Sequence, residues 1–273
     1  MQLRRIFLAA CAIPAVTLSA QSSAPADTTH PKEQLFTLRD AALAAGFAGL
    51  TIAMFPVDRS MAQRLQNKKS FASRSTATWT TGFDYLALPG VFVLGVGAYT
   101  WGRLAPHSDM ADIGWHTTEA ALVGATITEV LKGAIGRSRP YVSADTNPND
   151  FRFGAGFTST ARQSFPSGHT TIAFAAAAAA TSEIHRLWPR YTWVAGPLLY
   201  GSASIVGLAR MYENQHWASD VVLGAGIGTF AGLKTVRYAH THPNNLLDRI
   251  LLHANVTPYL SGGGRLSWSA DFR

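Results

Sequence analysis

The chain has 273 residues, 47% of them hydrophobic and 14% charged, a formal charge of +7 and a pI near 9.8. This length allows one large domain, and the mean hydropathy of +0.08 is high for a soluble domain yet modest for a protein with many membrane spans. The positive charge favours anionic partners such as phospholipid headgroups, but we expect no nucleic-acid partner, because no basic stripe alternates with aromatic residues and no nucleic-acid-binding motif occurs.

The segment 1–24 has the pattern of a secretory signal peptide. Arg4 and Arg5 form its basic start, residues 6–18 form an apolar core, and cleavage is expected near the end of the segment. An uncleaved N-terminal anchor is the alternative. We therefore predict an exported protein of a bacterial cell envelope, either associated with the inner membrane or free in the periplasm.

The only cysteine, Cys11, lies within this predicted signal peptide. The four residues that end at Cys11 match a bacterial lipoprotein box, although the apolar stretch before them is very short for lipidation. Removal of the signal would leave a chain without cysteine and hence without a disulfide. Residues 25–34, which contain prolines and polar residues, are interpreted as a linker.

Residues 35–240 are predicted to form one helical domain. Six helices are expected from apolar stretches with few charges, and Gly, Ala and Thr are common in them, which suits close helix–helix contact in a bundle. The same composition would also fit the core of a soluble all-α protein. The six helices are placed at about 35–55, 83–102, 114–134, 168–186, 191–209 and 217–238, with a basic loop at 56–82.

The C-terminal extension, 241–273, differs from the helical domain. Hydrophobic and polar residues alternate from Val256 to Phe272, and three glycines at 262–264 divide this stretch. Alternation around a glycine-rich turn predicts a short β-hairpin. We expect it to pack against the helices as an accessory.

Three segments carry residues suited to an anion. The first, 132–140, contains Lys132, Arg137 and Arg139 and ends in a proline that stops any helix. A single basic cluster of this kind is usually a solvated loop. The cluster gains weight only because two further segments suit the same ligand.

The second segment is Pro-Ser-Gly-His at 166–169, followed at once by a helix-forming run. The start of a helix presents free backbone N–H groups and the positive end of the helix dipole, which together favour an anion. Ser167 can add a hydroxyl donor, Gly168 an amide, and His169 lies in the first turn. We therefore predict an anion-binding helix N-terminus here.

The third segment, 210–220, contains Arg210, His216 and Asp220. His216 and Asp220 are four residues apart, so on a helix they lie on one face. A carboxylate that accepts from one ring nitrogen fixes the tautomer and leaves the other nitrogen nucleophilic. Alone, this pair would more often be an ordinary surface His/Asp pair.

Together the segments read Lys-x6-Arg-Pro, Pro-Ser-Gly-His and Arg-x5-His-x3-Asp, in that order between residues 132 and 220. This pattern resembles the type 2 phosphatidic acid phosphatase superfamily, which also includes bacterial class A acid phosphatases and vanadium haloperoxidases. One position departs from the family pattern: Ala209 stands where a serine usually precedes the arginine. The resemblance implies an all-α fold, a six-helix bundle, with the predicted hairpin appended.

The resemblance also implies roles for the residues of the three motifs. His216 would attack phosphorus and form a phosphohistidine, Asp220 would hold the His216 ring, and His169 would protonate the leaving group. Phosphate oxygens would be bound by five residues, with Arg137 supporting them from behind. These five are Lys132, Arg139, Ser167, Gly168 and Arg210.

The expected activity is hydrolysis of a lipid phosphate, such as phosphatidic acid or a polyprenyl diphosphate, or of a small phosphoester. We expect neither metal nor cofactor at this site, because the three cations can neutralise the phosphate. His116 is interpreted as structural, facing Glu119, and metal binding by His240 and His242 is a weak alternative. The sequence does not define the oligomeric state.

Three other functions stay open: a soluble periplasmic acid phosphatase, a vanadate-dependent haloperoxidase, and an envelope scaffold without catalysis. Topology separates the first of these from a membrane phosphatase. In the family's lipid phosphatases the first motif follows a third span and faces outward, whereas a signal followed by three full spans would leave Lys132 inside. The sequence alone therefore does not decide between an integral and a soluble protein.

Overall fold

The computed structural model describes residues 34–65, 74–105, 107–142, 147–242, 244–252, 254–258 and 264–268. The predicted signal peptide, including Cys11, and all of the predicted linker except residue 34 lie outside these ranges. Predictions about those segments stay predictions.

The described chain is mostly helical. Seven helices have 12 residues or more, one more than predicted, and a five-residue π-helical turn at Leu86–Gly90 joins the second to the third. They are α1 (Leu38–Leu65), α2 (Arg74–Tyr85), α3 (Val91–Leu104), α4 (Ser108–Ile135), α5 (Gly168–Leu187), α6 (Thr192–Tyr212) and α7 (Ala218–Thr241), followed by the short α8 (Leu246–Leu251).

The predicted loop at 56–82 is wrong over most of its described length. Helix α1 continues through Pro56 to Leu65, and α2 occupies residues 74–85. Proline normally breaks a helix because it lacks an N–H and its ring crowds the preceding turn. Tertiary contacts outweigh that preference here, since the fully buried Asp58, just past Pro56, is hydrogen-bonded to the start of α7.

Helix α5 is central to the bundle and packs against α4, α6 and α7. Its buried face is built largely from alanine, as in the cluster of Ala175 and Ala179 with neighbours on α4 and α7. Gly228 and Gly232 let the α7 backbone approach α5, since an added Cβ would lie 2.3 Å from Thr171 O and 2.5 Å from Ala175 O. The small residues that are common in the sequence thus allow the helices to pack closely.

Three helical segments are long and apolar enough to cross a membrane: Leu38–Leu65, Thr78–Leu104 and Pro189–Tyr212. Large apolar side chains on these segments point outward, including Ile52, Val93 and Trp193. Exposed apolar surface of this extent is unusual for a monomeric soluble protein and marks contact with lipid or with a protein partner.

After α8, strands β1 (Ala254–Pro258) and β2 (Gly264–Trp268) pair antiparallel, with Ala254 opposite Trp268. The residues between the strands and those after β2 lie outside the described ranges. A packed accessory hairpin therefore stays a prediction.

Candidate active site

The three segments singled out in the sequence meet at one end of the bundle, where α4 and α6 end and α5 and α7 begin. The backbone N–H of Ser167 donates to the carbonyl of Asp220 at 3.0 Å, which joins the starts of α5 and α7. A Cβ built on Gly168 would lie 2.8 Å from Lys132 Nζ, so the ammonium at the end of α4 reaches the start of α5. Arg139 donates to Gln215, one residue before His216.

His216 is buried, and its ring is held from one side. Its Nδ1 lies 2.7 Å from the carbonyl oxygen of Ser164 and 3.5 Å from Asp220 Oδ2. A carbonyl oxygen can only accept, so Nδ1 carries the proton and Nε2 keeps its lone pair. The Ser164 carbonyl, rather than the carboxylate expected from the sequence, is thus the nearest group that fixes the tautomer.

Asp220 is fully buried and accepts hydrogen bonds from other groups. Its Oδ2 accepts from Ser164 Oγ at 2.5 Å and from the Trp217 N–H at 2.8 Å, and its Oδ1 accepts from Arg137 Nη1 at 2.5 Å. The carboxylate therefore caps the start of α7 and also orients Ser164, whose carbonyl accepts the hydrogen bond from His216 Nδ1. It also favours the protonated form of the imidazole, since its Oδ2 lies 3.5 Å from His216 Nδ1.

Arg137 lies behind Asp220 and is fully buried, so no substrate reaches it. Its guanidinium donates to Asp220, to Asp58 Oδ2 at 2.7 Å, to Ser219 Oγ at 2.7 Å and to the Pro148 carbonyl at 2.8 Å. Four aromatic rings surround it, with centroids 4.8–5.5 Å from Cζ; they belong to Phe55, Phe151, Phe165 and Trp217. Asp58 was not predicted as part of this site.

Lys132, Arg139 and Arg210 lie around His169 and His216, and this group of residues is called the phosphate pocket. Each of the three cations has a polar partner. Lys132 Nζ donates to Glu129 Oε1 at 2.7 Å. Arg210 donates to both Asp84 and Glu213. The carboxylates of Glu129, Asp84 and Glu213 balance the charges of Lys132 and Arg210 in place of an anion. Sequence reasoning missed these three residues because acidic side chains are usually solvated.

Two guanidinium nitrogens in the pocket lack a partner. Arg139 Nε and Arg210 Nε are buried and have no hydrogen-bond acceptor. A buried N–H without an acceptor is costly, more so when the group is charged. Each of these two N–H groups is therefore available to an acceptor such as an anionic oxygen.

Both histidines of the pocket are held in the neutral form. Burial lowers the pKa of His216 to about 4, and the charges of Arg139 and Arg210 add to this against the opposing effect of Asp220. Burial also lowers the pKa of His169 to about 4, with Arg210 as the next cause. A neutral His216 with a free Nε2 is the form that can attack an electrophile.

Ser167 and His116 also make contacts that the sequence did not indicate. Ser167 is fully buried and its Oγ lies 2.9 Å from Thr170 Oγ1, from which it accepts, so the hydroxyl sits within the first turn of α5. His116 contacts Glu183 rather than Glu119, because the partner on a neighbouring helix is nearer than the one on its own.

The chain is similar to known proteins over this region. The model of the PAP2 superfamily matches residues 113–243. A lipid A 1-phosphatase of Porphyromonas gingivalis is 47% identical over 27% of this chain and 16% of its own length. A lipid A 1-phosphatase of Rhizobium johnstonii is 34% identical over 45% of this chain and 46% of its own length. The matched segments thus span less than half of each of these relatives.

A solved structure shares the fold. The transmembrane PAP2-type phosphatidylglycerolphosphate phosphatase of Bacillus subtilis superposes with a TM-score of 0.54 at 17% identity, over 77% of this chain and 99% of that one. The match at 113–243 contains all three segments singled out in the sequence. Over residues 113–243 this chain is therefore similar to the PAP2 superfamily.

Proposed function

We propose that the chain is a phosphatase that hydrolyses lipid phosphate esters through a phosphohistidine on His216, without a metal ion. The observation that carries this proposal is the pair of buried, unpartnered N–H groups of Arg139 and Arg210 beside a neutral His216. Phosphoryl transfer needs positioning and charge neutralisation above all, and fixed guanidinium groups supply both.

On substrate binding, the negative charge of the phosphate would take over contacts that carboxylates now make with the cations. The phosphate oxygens take the free N–H groups of Arg139 and Arg210, and approach the ammonium of Lys132 and the start of α5. Glu129, now 2.7 Å from Lys132 Nζ, must give up that contact or share it. The negative charge of the ester also offsets Arg210, whose repulsion is one cause of the lowered pKa of His169. The substrate thereby favours protonation of its own general acid.

The reaction then has two steps. In the first, His216 Nε2 attacks phosphorus, the bond to the leaving oxygen breaks, and that oxygen takes the proton of His169. The His216 ring thereby gains positive charge, which is stabilised by Asp220 at 3.5 Å from His216 Nδ1. In the second, neutral His169 takes a proton from water, the water oxygen attacks phosphorus, and the P–N bond breaks to release inorganic phosphate.

A lipid ester is favoured over a soluble one by the surroundings of the pocket. Three segments able to cross a membrane belong to the same chain, and their apolar side chains face outward. Both curated relatives are lipid A 1-phosphatases by description. The predicted signal peptide at 1–24 supports export to the cell envelope, where the active site would meet such lipids.

The purified protein in detergent should release phosphate from phosphatidic acid or a diphosphorylated lipid in excess EDTA. Vanadate should inhibit it, because this ion occupies the phosphate position. p-Nitrophenyl phosphate is the comparison substrate. A lipid phosphatase gives a higher kcat/KM on the lipid, and a broad acid phosphatase gives the reverse. Activity that returns only with added magnesium or zinc would contradict the proposed mechanism.

The pKa of His216 gives a pH test. A histidine with the usual pKa of about 6.5 would be roughly ten times less available for attack at pH 5.5 than at neutral pH. Because the pKa of His216 is lowered to about 4, its neutral form persists through this range. We therefore expect the rate of phosphoenzyme formation from p-nitrophenyl phosphate to stay nearly constant from pH 7 to 5.5. The rates must be corrected for the second ionisation of the phosphate ester, which is followed by its ³¹P chemical shift.

A further inference from the structure

A second cluster of polar residues lies outside the phosphate pocket. His116 on α4, Glu183 on α5 and His240 on α7 converge on one point. His116 Nδ1 lies 2.6 Å from Glu183 Oε1, and His240 Nε2 lies 2.7 Å from the same oxygen. One carboxylate oxygen thus joins two imidazoles from two other helices.

This cluster lies at the opposite end of the bundle from the phosphate pocket. His116 precedes Lys132 by 16 residues on one helix, and His240 follows Asp220 by 20 on another. At 1.5 Å per residue these spacings correspond to about 24 and 30 Å. The catalytic roles proposed above therefore make no use of the cluster.

The far side of His116 faces the carboxylate of Asp248. Its Nε2 is buried, has no hydrogen-bond partner, and lies 3.5 Å from Asp248 Oδ1. Asp248 is itself oriented by Trp115 Nε1 at 2.9 Å and by Asn245 Nδ2 at 2.7 Å. A histidine that binds a metal through one nitrogen commonly donates its other N–H to a carboxylate, which fixes the ring.

The charges around the cluster are also suited to a cation. Asp112 and Glu119 on α4 and Asp248 on α8 lie near it, and Arg186 on α5 is the opposing charge. Burial raises the pKa of Glu119 to about 6, and the neighbouring Asp248 adds to this shift. The side chain of His240 is 35% exposed, which leaves a path for an ion from solution.

We propose that His116 Nδ1, Glu183 Oε1 and His240 Nε2 bind one zinc ion. The three ligand atoms lie within 4.8 Å of one another. Zinc binds such atoms at about 2.0–2.2 Å, which places ligands about 3.3 Å apart in a tetrahedron. Each imidazole nitrogen must therefore move about 0.7 Å away from Glu183 Oε1, and ligand atoms at the 4.8 Å limit must approach each other by about 1.5 Å. Water completes the fourth position. The ion stabilises the junction of α4, α5 and α7 and takes no part in phosphate hydrolysis.

Metal binding must displace protons from the two histidines. His116 Nδ1 and His240 Nε2 both lie within hydrogen-bond distance of Glu183 Oε1, which can only accept, so each nitrogen carries a proton in the metal-free protein. Because zinc takes the place of these protons, its apparent affinity should fall as the pH is lowered.

The test uses the full chain in detergent, stripped with EDTA and then dialysed. Titration calorimetry with zinc chloride should give one saturable site per chain. Zinc at a hundredfold excess over Kd should raise the melting temperature by about 5–10 °C. EDTA should reverse this rise and leave the phosphatase rate at 25 °C unchanged.

His240→Ala and His240→Gln should lose most zinc affinity and the rise in melting temperature. The glutamine variant can still donate to Glu183, so the protein keeps a hydrogen bond there without a strong metal ligand. His242→Ala is the matched control, since His242 is an exposed neighbour whose Nδ1 contacts the Tyr238 carbonyl instead. Wild-type protein without saturable binding, or His240 variants that bind zinc as the His242 variant does, would overturn the proposal.

Discussion

His216→Ala should abolish the phosphoenzyme and lower the rate by several orders of magnitude. The His216 imidazole is the only protein group proposed to form a bond to phosphorus, and in this mechanism water attacks only after that bond has formed. Nδ1 donates to the Ser164 carbonyl at 2.7 Å, so the lost nucleophile is Nε2. The measurement is acid-labile, base-stable ³²P labelling of the protein after rapid quenching.

His169→Ala should fail differently from His216→Ala. Its nucleophile remains, so the protein should still become labelled, but a poor leaving group is no longer protonated. We expect a loss of roughly 10²–10⁴-fold on an alkyl or lipid ester, the usual scale of general acid catalysis. On p-nitrophenyl phosphate the loss should be much smaller, because the phenolate leaves without a proton.

The two histidine variants serve as controls for each other. Their circular dichroism spectra and melting temperatures should match those of the wild type. Labelling of His216→Ala, or an equal response of both variants to the pKa of the leaving group, would show that the proposed roles are wrong. The exposed His185 offers a further control, since His185→Ala should change neither label nor rate.

The candidate site could be found in the sequence because its chemistry is local. Lys132 and Arg139 lie within one segment, and His216 and Asp220 are one helical turn apart. Phosphate binding requires cations and a helix start, and each can be identified over fewer than ten residues. The all-α architecture followed from the same segments through the family resemblance.

Contacts between distant parts of the chain could not be found in this way. Asp58 is 79 residues from Arg137, and it lies just past a proline that suggested the end of a helix. Glu183 is 67 residues from His116, so Glu119, which lies on the same helix as His116, was the partner expected from the sequence. In both cases buried charge required compensation, and the nearest compensating group belonged to another helix.

Replacing Arg137 should destabilise the whole site. Its guanidinium is the only cation bonded to Asp58 and Asp220 among the described residues, and all three side chains are fully buried. Arg137→Met leaves two carboxylates in the interior without a countercharge. Removal of one partner from a buried ion pair typically costs about 3–5 kcal/mol. We expect a drop in melting temperature on the order of 10 °C.

Activity should fall as well, because Asp220 orients Ser164, and the Ser164 carbonyl holds the His216 ring. Arg137→Lys should recover part of the stability but little activity, since an ammonium cannot reproduce the fork between the two carboxylates. Arg152→Ala is the matched control. Its side chain is exposed and 3.8 Å from Asp150, so the change in stability should stay within about 0.5 kcal/mol.

A double variant separates the loss of charge balance from the loss of packing. Asp58→Asn in the Arg137→Met background removes one uncompensated carboxylate while keeping the shape of the side chain. If the buried charge is the cause, the double variant should melt at a higher temperature than Arg137→Met alone. If the four aromatic rings around the guanidinium carry the stability instead, Asp58→Asn should lower the melting temperature further, because an NH2 donor replaces one of the two oxygens that accept from the Ser219 N–H and Oγ.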